Sequence, residues 1–599
     1  MDAALVELAG AYGVATSYWD WQGRLVHVDP DVVVAVLGVL GVDATRPKTA
    51  LKEIPDRPRT LVTTDGEPGW YERPDGTTVI VTPDRLPEPA RTWGWMLQLY
   101  ALRSAASWGA GDFADLARFA EWAAETGAGA LLLNPLHAVP PIRPVPASPY
   151  SPSSRRYVNP LYLRVEDTSA YRLADPDTRA AVDRLRPPAD TDLIDYDAVW
   201  DAKRQALELL WRTENPRPSD DGFATYCALA ELHGADWRRW PAELHRPDGP
   251  GVARARAAAA DRVAFHAWLQ RLCDEQLAAA AKAAAGMQIG IVHDLAVGID
   301  PGGADGWMLQ DVLAQGIRIG APPDAFNQLG QDWGLAAWRP DRLAATGYRA
   351  YRDLLAASLR HGGGLRVDHV AGLWRLWWIP PGGSPDQGTY VRYDGPAMLG
   401  ALIAEAHRAG AVVIGEDLGT VLPEVRQAMS ERQVLGSAVL WFTRRWEEPG
   451  QPFLPPAEWP RLALASISTH DLPTVPGFLT DEHVRVRAQL GILGRTVAEE
   501  LAVAEADRAA LRDLLAAEGL AGEAPVPALH MLLARTPCRL VMASPYDALG
   551  EVRQPNLPGT VDGYPNWRVP LPKLLDDVIR DERMLAVAKI LAKRRVSRS

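Results

Sequence analysis

The 599-residue chain has only three cysteines, Cys227, Cys273 and Cys538, far apart and without CxxC spacing. That scarcity excludes a disulfide framework, speaks against a zinc site and fits a reducing cytosol. Basic residues are in deficit: 63 Lys and Arg against 75 Asp and Glu leave a formal charge of −12. Nucleic acids and anionic membranes call for a basic footprint, so neither partner is expected. No apolar run reaches the roughly 18 residues of a membrane span. The opening "MDAALVELAGAYG" lacks the basic-then-apolar layout of a signal peptide, so the expected location is cytoplasmic. Phenylalanine is also sparse, with 8 residues against 22 tryptophans. An indole packs a core well, which is the expected role of most of them. Its flat face can also stack on a sugar ring, and the remainder are read as candidates for that.

What is present is patterned. "AALVELAGAYG" and "DPDVVVAVLGVLG" carry apolar residues at helical spacing, with Asp29 placed to cap the second. Residues 60–83 hold two Asp-Gly pairs between short β-rich runs, as in hairpins. The Pro-rich "RLPEPARTWG" reads as a linker, so residues 1–92 are expected to form a small accessory domain. From there eight short apolar runs recur, starting at residues 93, 129, 289, 364, 411, 436, 462 and 539, several with helical stretches between them. Such runs suit a parallel sheet covered on both sides. Eight of them predict an α/β fold, a (β/α)8 TIM barrel over 93–599. No run leads into GxGxxG, which argues against a doubly wound nucleotide-binding sheet. The uneven spacing predicts insertions near 140–288, 298–363 and 472–537, gathered at the C-terminal face. Trp374, Trp377 and Trp378 fall at i, i+3, i+4 and read as a core-facing stripe.

Four carboxylates stand near the C-terminal ends of the expected strands: Asp294, Asp368, Glu416 and Asp471. Barrel enzymes keep their active sites at that face. Arg366 and Asp368 are two apart and share a strand face; a guanidinium there favours the ionised carboxylate that a nucleophile must be. Glu416 follows "AVVIG" with no basic neighbour in sequence, and partial burial would raise its pKa toward that of a general acid. Two carboxylates in opposed environments are the equipment of glycoside chemistry. Asp417, beside Glu416, is expected to face the other way and to be structural.

"RVDHV", "IGEDLG" and "STHDLPT" resemble the catalytic segments of amylomaltases, the 4-α-glucanotransferases of glycoside hydrolase family 77. "SPYSPSSRRYVNPLYL", "HDLAVGIDPGGADGW", "GAPPDAFNQLGQDWG" and "ALGEVRQPNLPGT" resemble further segments of that family. The resemblance implies Asp368 as nucleophile, Glu416 as general acid/base and Asp471 as the carboxylate that grips sugar hydroxyls. It implies that Arg366 orients Asp368, that Asp294, His369 and His470 hydrogen-bond the sugar or its neighbours, and that Tyr150 stacks on it. Asp324, Gln331 and Trp333 are candidates on the acceptor side. The implied substrates are α-1,4-glucans and maltooligosaccharides, with no cofactor and no metal. Two other readings stand beside transfer: an α-amylase-type hydrolase with the same carboxylates, and a non-catalytic α-glucan-binding protein.

Overall fold

The computed structural model describes residues 1–54, 60–212, 219, 221–323, 329–419, 421–561 and 563–596. Each of the eight apolar runs forms a strand: β1 (Thr92–Leu97), β2 (Ala130–Leu133), β3 (Gly290–Leu295), β4 (Gly364–Val367), β5 (Val412–Gly415), β6 (Gly436–Val439), β7 (Ala463–Ser466) and β8 (Leu540–Ala543). They lie parallel in chain order, and β8 returns to pair with β1, placing Val541 opposite Trp93. Between β5 and β6 a parallel bridge joins Ile414 to Leu435, and the Gly415 N–H donates to the Leu435 carbonyl at 2.8 Å. The sheet is an α/β barrel of the TIM type. β2 and β3 are buried along their whole lengths, because one face meets the lumen and the other meets helices. The lumen floor is apolar, built from Leu132, Val292, Ile414, Leu464, Leu540 and Met542 among others. On β1 a Cβ at Gly94 would lie 2.1 Å from the Ala130 carbonyl oxygen, so this close strand approach requires glycine.

Helices cover the barrel over Phe113–Glu125, Ala260–Ala283, Arg349–Ser358, Gly395–Ala409, Pro423–Glu431, Pro525–Arg535 and Glu582–Ala592. The first starts at a capping box of Asp112 and Asp115 and buries Phe113, Leu116, Phe119, Ala120 and Ala123 on one stripe. Among the described residues the β6–β7 connection has only short 3-10 turns, Leu440–Phe442 and Pro456–Glu458, where strict alternation expects a helix. No helix of the described residues is long and apolar enough to cross a membrane.

At the start of the chain the helices run Ala3–Ala11 and Pro30–Val39, and the Asp29 carboxylate caps the second through the Asp31 N–H. Only one of the two Asp-Gly pairs makes a hairpin. Asp75-Gly76, with Gly76 at φ 80°, joins Gly69–Glu72 to Thr78–Val81. Around Asp65-Gly66 no hairpin forms, because Thr60–Thr63 pairs in parallel with the more buried Thr78–Val81.

Trp377 and Trp378 are buried as expected, and Trp374 packs against the core, but they do not form a helical stripe. Trp377 and Trp378 lie on a strand, Arg375–Ile379, in a four-stranded antiparallel sheet ordered Gln331–Leu335, Arg318–Ala321, Arg375–Ile379, Thr389–Arg392. Both are buried, on opposite faces: Trp377 against Tyr18 and Tyr390, Trp378 within the core, with its indole N–H on the Tyr393 hydroxyl at 3.2 Å. The β4–β5 connection therefore carries an elaboration in addition to the long segments after β2, β3 and β7. Residues 13–15 extend this sheet beside Thr389–Arg392, with the Ala15 N–H donating to the Tyr390 carbonyl at 2.9 Å. The N-terminal helices share one apolar core with this sheet and with the helix Gly395–Ala409.

Candidate active site

Strand register builds the site. Asp294 on β3 stands opposite Arg366 on β4, and Arg366 stands opposite Ile414 on β5. Along each strand every second residue faces the lumen. The floor residues Val292, Gly364 and Ile414 are thus followed one step up by Asp294, Arg366 and Glu416, with Asp368 just past the end of β4. The Arg366 Nη1 atom donates to both oxygens of Asp294 at 2.7 and 2.8 Å and to Asp368 Oδ1 at 3.0 Å. The lumen can admit this charge because a buried guanidinium held by two carboxylates is compensated, whereas an unpaired one costs several kcal/mol. Burial opposes the charge on Arg366, but Asp294 and Asp368 outweigh it and hold its pKa well above the ordinary value.

Asp294 is in turn pushed up by burial, against the pull of Arg366. It accepts the Tyr150 hydroxyl at 2.6 Å. Tyr150 lies 3.3 Å from His470 Nδ1, and its ring tilts against the rings of His470 and Trp567. The other nitrogen of His470 is 3.3 Å from Asp471 Oδ2, and the Asn556 amide donates to Asp471 Oδ1 at 2.6 Å. Burial works to raise Asp471, but the His470 and Asn556 contacts prevail and hold its carboxyl below the usual range. Its side chain still keeps 44 % of its surface accessible within the cleft. His470 rises in return, since Asp471 outweighs the burial that favours the neutral ring.

Glu416 crowns β5 and accepts two main-chain N–H groups: His369 at Oε2, 3.0 Å, and Leu418 at Oε1, 2.6 Å. Burial first, and then the neighbouring Asp368 charge, push its pKa up to about 7 against Arg366 and those two donors. His369 can aim its N–H at Glu416 because its backbone is left-handed, φ 47° and ψ 61°, an uncommon state for a non-glycine residue. Its ring, kept neutral by burial, meets the edge of Trp333, whose indole N–H reaches Gln331 Oε1 at 3.3 Å. Asp417 turns away as its parity requires, accepting from the Ser437 N–H and from Arg426.

A cleft of about 790 Å³, its open mouth included, lies over this array, lined by Tyr150, Asp294, Arg366, Glu416 and His470 together with Ser437, Ser466 and Ser468. The candidate residues thus fall into one connected set, except Asp324, which lies outside the described residues. Sequence reasoning missed Asn556 and Trp567. Asn556 stands in the quoted segment "ALGEVRQPNLPGT", where only a resemblance, and no spacing rule, marked it. Among the described residues no group of three or more His, Cys, Asp or Glu side chains is arranged to hold a metal ion.

A family model of 4-alpha-glucanotransferases, glycoside hydrolase family 77, matches residues 97–576. A 4-alpha-glucanotransferase of Mycobacterium tuberculosis is 44 % identical over 709 aligned positions, covering 98 % of this chain and 97 % of that one. One of Haemophilus influenzae is 34 % identical, covering 83 % of this chain and 78 % of that protein. Among solved structures, amylomaltase from Corynebacterium glutamicum superposes with a TM-score of 0.86 at 35 % identity, covering 98 % and 99 % of the two chains. With the carboxylates gathered at the barrel mouth and the similarity spanning nearly the whole chain, the protein belongs to the 4-alpha-glucanotransferase family.

Proposed function

We propose that this enzyme passes α-1,4-glucan segments between maltooligosaccharides by a double displacement, with Asp368 as nucleophile and Glu416 as acid and then base. The observation that carries this reading is the opposed treatment of the two carboxyls. Arg366 occupies Asp368 Oδ1 and leaves Oδ2 for the anomeric carbon. Glu416, pushed up to about 7, keeps a substantial protonated fraction at neutral pH to serve the leaving oxygen.

The geometry also accounts for the change of role. Attack turns the Asp368 carboxylate into a neutral ester and removes the second-largest cause of the raised Glu416 pKa. The Arg366 charge and two N–H donors remain, so Glu416 ionises more readily and accepts the proton of the incoming 4-hydroxyl. Asp471, pulled toward its ionised form beside His470 and still accessible, is placed to hold sugar hydroxyls as the ring flattens. Both Asp294 oxygens are already engaged by Arg366 and Tyr150, which suits an anchor for those two side chains better than a direct sugar contact. Tyr150 and His470 wall the cleft for the donor sugar, with Gln331 and Trp333 on the acceptor side.

Residues 1–92 belong to this proposal as an accessory part beside the catalytic part 93–599. A cytoplasmic setting fits the three cysteines, all free and buried. Incubation with maltotriose tests the reaction: transfer yields glucose and a ladder of longer oligosaccharides, whereas glucose and maltose alone would identify a hydrolase.

A further inference from the structure

Of the 22 tryptophans, 16 are buried, and the two most forward in sequence are not. Trp19 is 66 % exposed and Trp21 46 % exposed, both on the hairpin of Ser17–Trp19 and Leu25–His27. In an antiparallel hairpin directly opposite residues share a face. Tyr18 and Val26 face inward, where the Tyr18 ring packs on Trp377 and Tyr390. Trp19 is opposite Leu25, itself 47 % exposed, on the outward face. A two-stranded ribbon normally turns polar residues to water; here it turns out an indole and a leucine, with a second indole at the turn.

The turn is braced by hydrogen bonds, and its own two charges, Asp20 and Arg24, are paired. In the turn the Asp20 carboxylate accepts the Gln22 and Arg24 N–H groups and the Arg24 Nε–H at 2.9, 2.8 and 2.8 Å, so the local charges cancel. Such a surface does not suit an anionic partner, least of all on a chain of net charge −12. It suits a neutral polymer with flat apolar faces. The hairpin is also tied to the active site: residues 13–15 lengthen the sheet whose far strand, Gln331–Leu335, presses Trp333 against His369. Tyr18 of the hairpin packs on Trp377 and Tyr390, on the two strands farthest from Gln331–Leu335; at about 4.8 Å per strand these lie roughly 10 and 14 Å from it.

We propose that Trp19 and Trp21 form a docking platform for long α-1,4-glucans, remote from the cleft and outside the reach of short donors. This rests on the glucanotransferase reading, which supplies the ligand class. The test uses the full chain and its W19A/W21A variant, with Trp19→Phe as the conservative control and native-gel retardation by amylose as the readout. For the retardation assay every chain also carries Asp368→Asn, so that neither glucan is turned over, and maltotriose is present in excess to fill the cleft. The expected result is at least a fivefold loss of retardation in W19A/W21A and partial retention in Trp19→Phe. In separate assays kcat and KM on maltotriose should stay within twofold, while KM on amylose rises. Unchanged retardation in the double variant would overturn the platform while leaving the transferase reading intact. So would a monomer–dimer shift in sedimentation that changes with these residues when amylose binding does not. Loss of maltotriose turnover in the unaltered chain would instead overturn the transferase reading.

Discussion

At the scale of single residues, the two central carboxyls are distinguished by what surrounds them. Asp368 is held by a guanidinium; Glu416 is desolvated and faces the Asp368 charge. Their removal should therefore fail in different ways. Glu416→Gln keeps the nucleophile but lacks the proton that a sugar leaving group needs. With α-glucosyl fluoride, whose leaving group needs little protonation, this variant should form a glucosyl ester on Asp368 and then stall for want of a base. Mass spectrometry should find the adduct on the peptide containing Asp368, and none in Asp368→Asn; equal adduct in both variants would refute the assignment. Much at this scale was legible in sequence, because alternation places Arg366 and Asp368 on one face and sends Asp417 to the other. The His369 main chain was not legible. Its left-handed turn depends on the N–H finding Glu416, 47 positions away, and no local preference of a histidine announces that.

The strands were readable as elements because a barrel strand buried on both faces must be a short, nearly continuous apolar run. The segment Arg375–Ile379 obeys the same rule, yet "LWRLWW" also satisfies a helical spacing, and periodicity cannot decide between them over five residues. What decides is the antiparallel partner Arg318–Ala321, more than fifty residues earlier. The single hairpin at Asp75-Gly76 carries the same lesson: a turn signal states where the chain can reverse, and pairing across the sheet determines whether it does. The buried Trp378 ties this sheet to the core, so Trp378→Ala should cost about 3–5 kcal/mol. Thr389→Val, which removes only the hydroxyl bond to the Ala15 carbonyl, should cost about 1 kcal/mol. Midpoints of urea unfolding monitored by tryptophan fluorescence give both values, and equal shifts would show that the sheet is not anchored through Trp378.

For the molecule as a whole, buried acids and buried histidines shape the response of stability to pH, and Asp547 is the clearest single contributor to isolate. Burial pushes Asp547 up to about 7, and its carboxyl accepts the Val475 N–H at 2.7 Å. The folded state thus keeps a proton that the unfolded chain releases near pH 4. Where the native state binds more protons, stability falls as pH rises, here between about 4 and 7. Asp547→Asn keeps an acceptor for Val475 and has no proton to lose. In calorimetry its Tm relative to the parent should be higher at pH 8 than at pH 5. A difference independent of pH would show that Asp547 folds without this penalty. Asp115, at about 7, and Glu416 contribute with the same sign, while the buried His137, His293 and His530, pushed down to about 3, 4 and 4, act with the opposite sign below neutrality.

The pairing of β1 with β8 joins Trp93 to Val541, roughly 450 residues later, and a contact over such a distance forms late. At synthesis rates of about 5–20 residues per second, β1 waits roughly 20 to 90 s on the ribosome for its second neighbour. Throughout that interval an edge bearing "TWGWML", with Trp93 and Trp95 destined for complete burial, is open to any other unfinished chain. The ring that encloses the cleft in the finished enzyme therefore makes the nascent one a client for chaperones, and its yield on dilution from denaturant should fall as protein concentration rises.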